Sequence, residues 1–420
     1  VSTSNFPEVI PVERRPAYSR HVERPTGNGL VRFFGGLFGW LWRIAVGAVL
    51  CFNAPVLSFF TSIAVVGWLY RWMQGLVLRG WWKQSKFRHD GSFHDFCESL
   101  GKNAPTTQPR WFVQERLRHA LSRPAPDGSA PGLLRRFPRM LRVPWHSFWV
   151  NFKLGVQALF CTYLATGWGC LIMLMSWEFG WLNSFHKGYE QAFTGILTGL
   201  FGSLLFILAM FYVPMAQVHQ AATGEARAFF HFRFVCRLIQ SRPTAYLGLA
   251  ALTGLASLIL EIMRLFTVSE DFLGNVAATD AEGLQILTYY FLGCALGLFV
   301  LLLFLRWLAT AIYRSAVLKA LRQGRLTRDE LHPLLARWLN RLEMMPVPLA
   351  TVPGLGQAVR VTTRWSYRRF VYALLFLVWL IYVVRFCTGY FFAADGLMGF
   401  LNHPLVQFPC FDYVPGHLYQ

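Results

Sequence analysis

The chain has 420 residues, of which 55% are hydrophobic, 16% aromatic and only 15% charged, with a mean hydropathy of +0.37. A soluble domain carries about 25% charged residues, so this composition excludes an ordinary water-soluble globule and points to lipid as part of the solvent. The formal charge of +19 arises from 40 Lys and Arg against 21 Asp and Glu; because the basic residues cluster between apolar runs, it reads as a cytoplasmic-loop bias and not as nucleic-acid binding.

Residues 1–30 form a polar, Pro-containing tail with no apolar core of a signal peptide. Val1 reads as a non-standard start codon, which suggests a bacterial reading frame. Residues 31–78 are an N-terminal membrane region with two readings. One is a hairpin, 31–52 and 55–78, turning at Asn53-Ala54-Pro55; the other is a single span, 44–70, bracketed by Arg43 and Arg71.

A basic cytoplasmic loop, 79–148, follows, with a short amphipathic helix at 109–122 and a Pro-rich connector at 124–144. His89, Asp90, His94, Asp95, Cys97 and Glu98 cluster within it. The mix suits zinc, but the spacing matches no standard metal motif, and the cluster reads as solvent-facing.

Residues 149–312 are a four-span core. Its runs 149–177, 191–215, 244–266 and 286–312, with a last span at 370–393, are each long enough to cross about 30 Å of hydrocarbon at about 1.5 Å per residue. Gly195, Gly199 and Gly202 in one span, and Gly293 and Gly297 in another, have the small-residue spacing that lets helices approach closely in lipid. Glu261 and Arg264 lie three residues apart near the outer end of one span, and Arg385 lies at similar depth in the last. Intramembrane charges are candidate functional sites by default, and these three form a candidate ion pair. His186, Lys187 and Glu190 place polar groups in an outer loop that reads as a turn and a helix start.

Residues 225–241 mix Phe with Arg, as does a helix lying in the membrane interface. The basic loop 313–369 carries Thr327-x-x-Glu330, a capping-box pattern, before Leu331, Leu334, Leu335, Trp338 and Leu342 at helical spacing. Residues 394–420 are a tail, and Cys387 and Cys410 lie on one side of the membrane, where they have the opportunity to pair. The other six cysteines suggest no disulfide framework.

Loop charge orients the chain. Loop 71–148 has 14 basic residues against 5 acidic, and loop 313–369 has 11 against 3. Loop 267–285 has only Glu270, Asp271, Asp280 and Glu282. Basic loops inside place the C-terminal tail outside. The expected fold is therefore all-α: a polytopic transmembrane bundle of about seven spans, six if 31–78 crosses once, in a bacterial inner membrane.

Pro214-x-Ala216, Ala221-x-Thr223-Gly224 and Ala228-Phe229 precede an Arg/Phe-rich helix that runs to Arg242-Pro243 and Tyr246. In these residues the segment 205–250 resembles an uncharacterised family of prokaryotic polytopic membrane proteins, a domain of unknown function. The resemblance implies a helical membrane domain with an interfacial helix on the cytoplasmic side, and no reaction.

No Walker A, G-x-S-x-G or H-E-x-x-H pattern occurs, and Gly354-x-Gly356 lacks the strand and helix of a nucleotide loop. No catalytic residue, cofactor or metal site is expected. The expected role is a non-enzymatic accessory, scaffold or assembly subunit, with membrane lipids and other membrane subunits as partners; the alternative is a transporter or channel. A third reading, a membrane enzyme, rests on the His/Asp/Cys loop or the His186 region.

Overall fold

The long apolar runs leave lipid-exposed backbone no option but internal hydrogen bonding, and among the described residues every regular element is a helix. The computed structural model describes residues 29–51, 55–89, 92–100, 111, 133–176, 190–268, 281–346, 368–380, 403 and 405–409, with backbone alone at 29–35, 55, 56, 58, 133–143, 174, 190–196, 260–268, 281–288 and 291. The helices are α1 (Gly29–Cys51), α2 (Pro55–Gln84), α3 (Phe93–Ser99), α4 (Leu133–Met175), α5 (Glu190–Thr223), α6 (Phe232–Ser241), α7 (Pro243–Val268), α8 (Ala281–Arg322), α9 (Pro333–Arg341) and α10 (368–380). Two short 3₁₀ turns, Lys86–Arg88 and Ala226–Phe230, join them.

Three stretches are long and apolar enough to cross a membrane: Pro144–Met173, Leu197–Thr223 and Leu292–Arg322. Gly36–Cys51 and Pro243–Ile259 are apolar but shorter. Large apolar side chains point outward along these helices, among them Trp42, Phe160, Leu164, Phe201, Leu204, Phe304 and Trp307. An exposed belt of that size is a lipid or partner surface, and the chain is a helical membrane protein.

Helices α2, α4, α5 and α8 pack around the centre, with α1 on α2 and α8, and α7 on α8. The closest approach is α2 against α4. A Cβ added at Gly67 would collide with the backbone carbonyl of Asn151, and one at Gly155 with that of Ile63. Two glycines thus let the backbones touch. Beside this crossing Arg71 Nη1 donates to Asn151 Oδ1 at 2.8 Å, and Trp68 stacks on Trp111 with ring centroids 4.4 Å apart.

Several boundaries differ from the sequence reading. Region 31–78 holds two helices, one ending at Cys51 and the next starting at Pro55, and α2 continues to Gln84. Helix α4 starts at Leu133, inside the expected connector, because the good helix formers of LLRRFPRMLR carry it past Pro138 and Pro144. Helix α5 runs through Pro214 to Thr223, where Gly224 at φ +76° ends it. Helix α8 runs ten residues beyond the apolar stretch, to Arg322, with Gly324 at φ +64° after it.

The Arg/Phe-rich segment is not one interfacial helix. It is a 3₁₀ turn and α6, broken at His231, and its Phe229, Phe234, Val235 and Leu238 are buried in protein. Its apolar face covers α5 and α8. The Thr327/Glu330 pattern caps a turn: the Thr327 N–H donates to Glu330 Oε2 at 3.0 Å. Helix α9 starts later, at Pro333, with His332 as its N-cap. Leu331, Leu335, Trp338 and Leu342 are buried as the spacing predicts. The segments 109–122, apart from Trp111, and 347–358 lie outside the described residues.

Candidate functional site

The continuation of α5 past Pro214 carries Gln217, His219 and Gln220 into the bundle, where all three are buried. Opposite them stands Arg306, in the middle of the apolar helix α8 and only 6% exposed. Helix α4 supplies Thr162 and Thr166 from successive turns, and α2 supplies Tyr70. His403 and residues 405–409 thread between these helices. His403, Leu405, Val406, Gln407 and Phe408 are buried, so this part of the expected outer tail lies in the bundle interior.

Arg306 organises the layer. Its Nη1 donates to Gln217 Oε1, and its Nη2 donates to the carbonyls of Val406 at 2.8 Å and Leu405 at 3.4 Å. Gln217 Nε2 donates to the same Val406 carbonyl at 2.9 Å and to Thr162 Oγ1 at 3.0 Å. Gln407 is held at both ends: its Nε2 donates to Thr166 Oγ1 at 2.8 Å, and its Oε1 accepts from the His403 N–H at 2.7 Å. Non-helical carbonyls at membrane depth are tolerated only where protein satisfies them; here an arginine and a glutamine do so.

The charge is not balanced within this layer. No Asp or Glu among the described residues pairs with Arg306. A guanidinium has five N–H donors, and its hydrogen-bond partners among the described residues are three neutral oxygens. A charge at the centre of a membrane helix costs about 2.5–3.5 kcal/mol on insertion scales, and burying one without an opposite charge is costlier still in a dry core. Tyr70, Thr162, Gln217, Arg306 and Gln407 line a cavity of about 10 Å³, room for roughly one water-sized sphere. Its polar lining is a cation, two amides and two hydroxyls, with no carboxylate.

Two further pairs flank the layer. His403 Nε2 lies 2.8 Å from Ser257 Oγ on α7. Ser257 also bonds the Thr253 carbonyl at 2.9 Å; its one hydroxyl proton goes there, leaving His403 to donate, the wrong arrangement for a general base. His219 Nδ1 lies 2.8 Å from the Tyr313 hydroxyl of α8, and its other ring nitrogen is buried without a hydrogen-bond partner.

The residues singled out from sequence fall elsewhere. Glu261 and Arg264 lie on α7, in a part where only the backbone is described, and Arg385, Cys387, Cys410, His186 and Lys187 lie outside the described residues, as does the side chain of Glu190. Gly199 and Gly202 face α4, where an added Cβ would meet Ser176 Oγ and Met173 Cγ, each at 2.9 Å. Gly195 precedes them in the backbone-only part of α5. A Cβ at Gly293 would meet nothing within 4 Å, and Gly297, one turn on, is also exposed.

Between α2 and α4, Ser92 and Asp95 form a reciprocal cap at 3.2 Å each way. His94 reaches Glu98 at 3.2 Å, and burial pushes the Cys97 thiol up to about 12. Among the described residues no group of three or more His, Cys, Asp or Glu is placed to hold a metal.

Sequence reading missed Arg306, although it interrupts the apolar run Leu305-Arg306-Trp307. It also misses Gln217, His219 and Gln220, which lie just beyond the expected span 191–215. Comparison with protein families, with characterised proteins and with solved structures finds no match to the chain.

Proposed function

We propose that this protein holds a small monovalent anion beside Arg306 inside its helical bundle, and that it acts as a membrane transporter or channel for anions of that size. The observation that carries this reading is a buried guanidinium with no carboxylate partner among the described residues, lining a cavity with amide and hydroxyl groups. A small monovalent anion supplies the missing charge; the cavity has room for roughly one water-sized sphere and opens slightly to take an ion of chloride size. In this reading the chain sits in a bacterial inner membrane with its basic loops inside, and crosses it seven times, as the apolar runs of the sequence suggest. The role is not enzymatic. The resemblance of residues 205–250 to an uncharacterised polytopic family agrees with a membrane role and adds no reaction.

The test is anion flux from liposomes reconstituted with the full-length protein, followed with a halide-sensitive dye. Chloride flux in wild type, abolished in Arg306→Met with the fold retained, is the expected result. No flux in wild type, or equal flux in the variant, would sink the reading.

One observation favours the accessory-subunit reading instead. Gly293 and Gly297 lie exposed on α8 beside exposed Leu292, Leu296 and Val300. Such a face suits a helix of another subunit. Gentle purification that yields a partner at fixed stoichiometry, together with absent flux, would establish this reading over the first.

A further inference from the structure

A second group of cations stands apart from Arg306, where four elements meet at one end of the bundle. The end of α6 is fixed to α8 by Ser241 Oγ donating to the Ala316 carbonyl at 3.1 Å. That bond sets Arg242, the next residue, beside the turn of α8 that carries Lys319. Arg325, in the loop after α8, folds back and donates to the Gln240 carbonyl at 2.8 Å. Thr244, at the start of α7, bonds the Tyr372 hydroxyl of α10 at 3.2 Å, which brings in Arg368 at the start of that helix. Arg242, Arg325 and Arg368 all lie near enough to repel the Lys319 ammonium.

None of these four cations forms an ion pair with a carboxylate among the described residues. Like charges gathered in this way oppose folding unless something neutralises them. Arg242, Arg325 and Arg368 are exposed and Lys319 is half-buried, so an incoming anion has access to them.

The depth of the group selects the anion. Arg242 immediately precedes the apolar run Pro243–Ile259, and Lys319 lies in the last turn of the span Leu292–Arg322. Arg368 opens α10, along which Phe370, Leu374 and Leu377 are exposed at i, i+4 and i+7 spacing. The cations thus stand at the boundary of the apolar belt with an apolar stripe leading away from them. That pattern matches a charged headgroup with acyl chains below it, and basic pockets between spans on the cytoplasmic side suit anionic lipid. A free phosphate ion would use the cations and leave the stripe unused.

We propose that Arg242, Lys319, Arg325 and Arg368 form a binding site for the phosphate headgroup of an anionic phospholipid at the cytoplasmic boundary of the membrane. The site rests on its own residues and stands whether or not Arg306 holds an anion.

The experiment uses full-length protein in nanodiscs of phosphatidylcholine, with or without phosphatidylglycerol, and reads thermal stability. Wild type gains stability with phosphatidylglycerol. Lys319→Gln melts higher than wild type in pure phosphatidylcholine, because repulsion is relieved, and gains less from phosphatidylglycerol. A variant with all four cations changed to Gln gains least. Changing Arg337 and Arg341, exposed cations on α9, leaves the gain intact. Equal gains in wild type and the four-cation variant would overturn the proposal, as would a loss of gain in the α9 variant. Inorganic phosphate reproducing the whole gain in pure phosphatidylcholine would assign the cations to free phosphate and overturn it too. If the four-cation variant fails to fold, Lys319→Gln alone still decides the matter, by its higher melting in pure phosphatidylcholine and its smaller gain from phosphatidylglycerol.

Discussion

Arg306 and Gln217, on neighbouring helices, both donate to the carbonyl of Val406, at 2.8 and 2.9 Å, and Arg306 donates to Gln217 as well. This triangle ties α5, α8 and the C-terminal segment together through one backbone oxygen. Its members are therefore not independent. Gln217→Leu is expected to lower stability by about 1–3 kcal/mol, because it strips acceptors and donors from a buried cation and carbonyl. Arg306→Met relieves the burial of a charge but takes a donor from Gln217 Oε1 and from two carbonyls, and is expected to cost a similar amount. The double variant should fall short of the summed losses, and a thermal or denaturant double-mutant cycle in detergent measures the shortfall.

The crossing of α2 and α4 gives a sharper packing test. Gly67→Ala and Gly155→Ala each push a methyl into a backbone carbonyl, which no rotamer change relieves. Losses of about 1–3 kcal/mol or more are expected. Gly293→Ala meets open space and is expected to be near neutral, or slightly stabilising through helix propensity. Melting temperatures of the three purified variants check this order.

The Arg237–Glu330 pair joins α6 to the loop before α9. The Thr327 N–H, and then Arg237, hold the Glu330 carboxyl below its ordinary 4.5. A depressed carboxylate adds stability that is fully present above the unfolded value and lost as pH falls through the folded one. Both side chains are 40% exposed, so solvent screening limits the pair to about 1 kcal/mol at most. Wild type is expected to melt slightly above Glu330→Gln at pH 7, with the gap closing well below pH 4.5. A gap that persists in acid would remove the carboxylate as its cause.

Cysteine labelling tests burial and orientation together. Cys97 is buried, with its thiol pushed up to about 12, while Cys236 on α6 is exposed. At neutral pH a maleimide should modify Cys236 and spare Cys97 in the folded protein, because the thiolate is the reactive form. A membrane-impermeant maleimide should reach Cys236 only in inverted vesicles if α6 faces the cytoplasm. Peptide mass mapping reads both results.

Much of the fold is legible in the sequence, because apolar run length and loop charge report on lipid directly. The apolar runs place α1 and α7 within a few residues at both ends, and α2 and α5 within a few residues at their starts. Helix ends are less legible where charge and helicity part company. Arg314, Lys319 and Arg322 read as loop residues because they are basic, yet α8 continues through them, since Lys and Arg are good helix formers outside lipid. The expected span stops at 215, one residue after Pro214, yet α5 runs on to Thr223, since a proline costs only the local hydrogen bond when neighbouring helices hold the backbone in place. The amphipathic pattern of α6 states that one face is buried and is silent on whether lipid or protein buries it; here it is protein.

The polar layer was the hardest part to read. Its members come from α2, α4, α5 and α8 and from a segment about a hundred residues beyond Arg306. No local spacing connects Gln217 with Val406 or Thr166 with Gln407. Arg306 alone carried a local signal, a charge inside an apolar run.

The measurement that bears most directly on the central claim is anion-dependent stability of the purified full-length protein. Wild type and Arg306→Met are exchanged into gluconate and titrated with chloride at constant ionic strength. Saturable stabilisation of wild type by chloride, absent in Arg306→Met, is the predicted result. A flat response in wild type, or the same response in both proteins, would contradict an anion held beside Arg306.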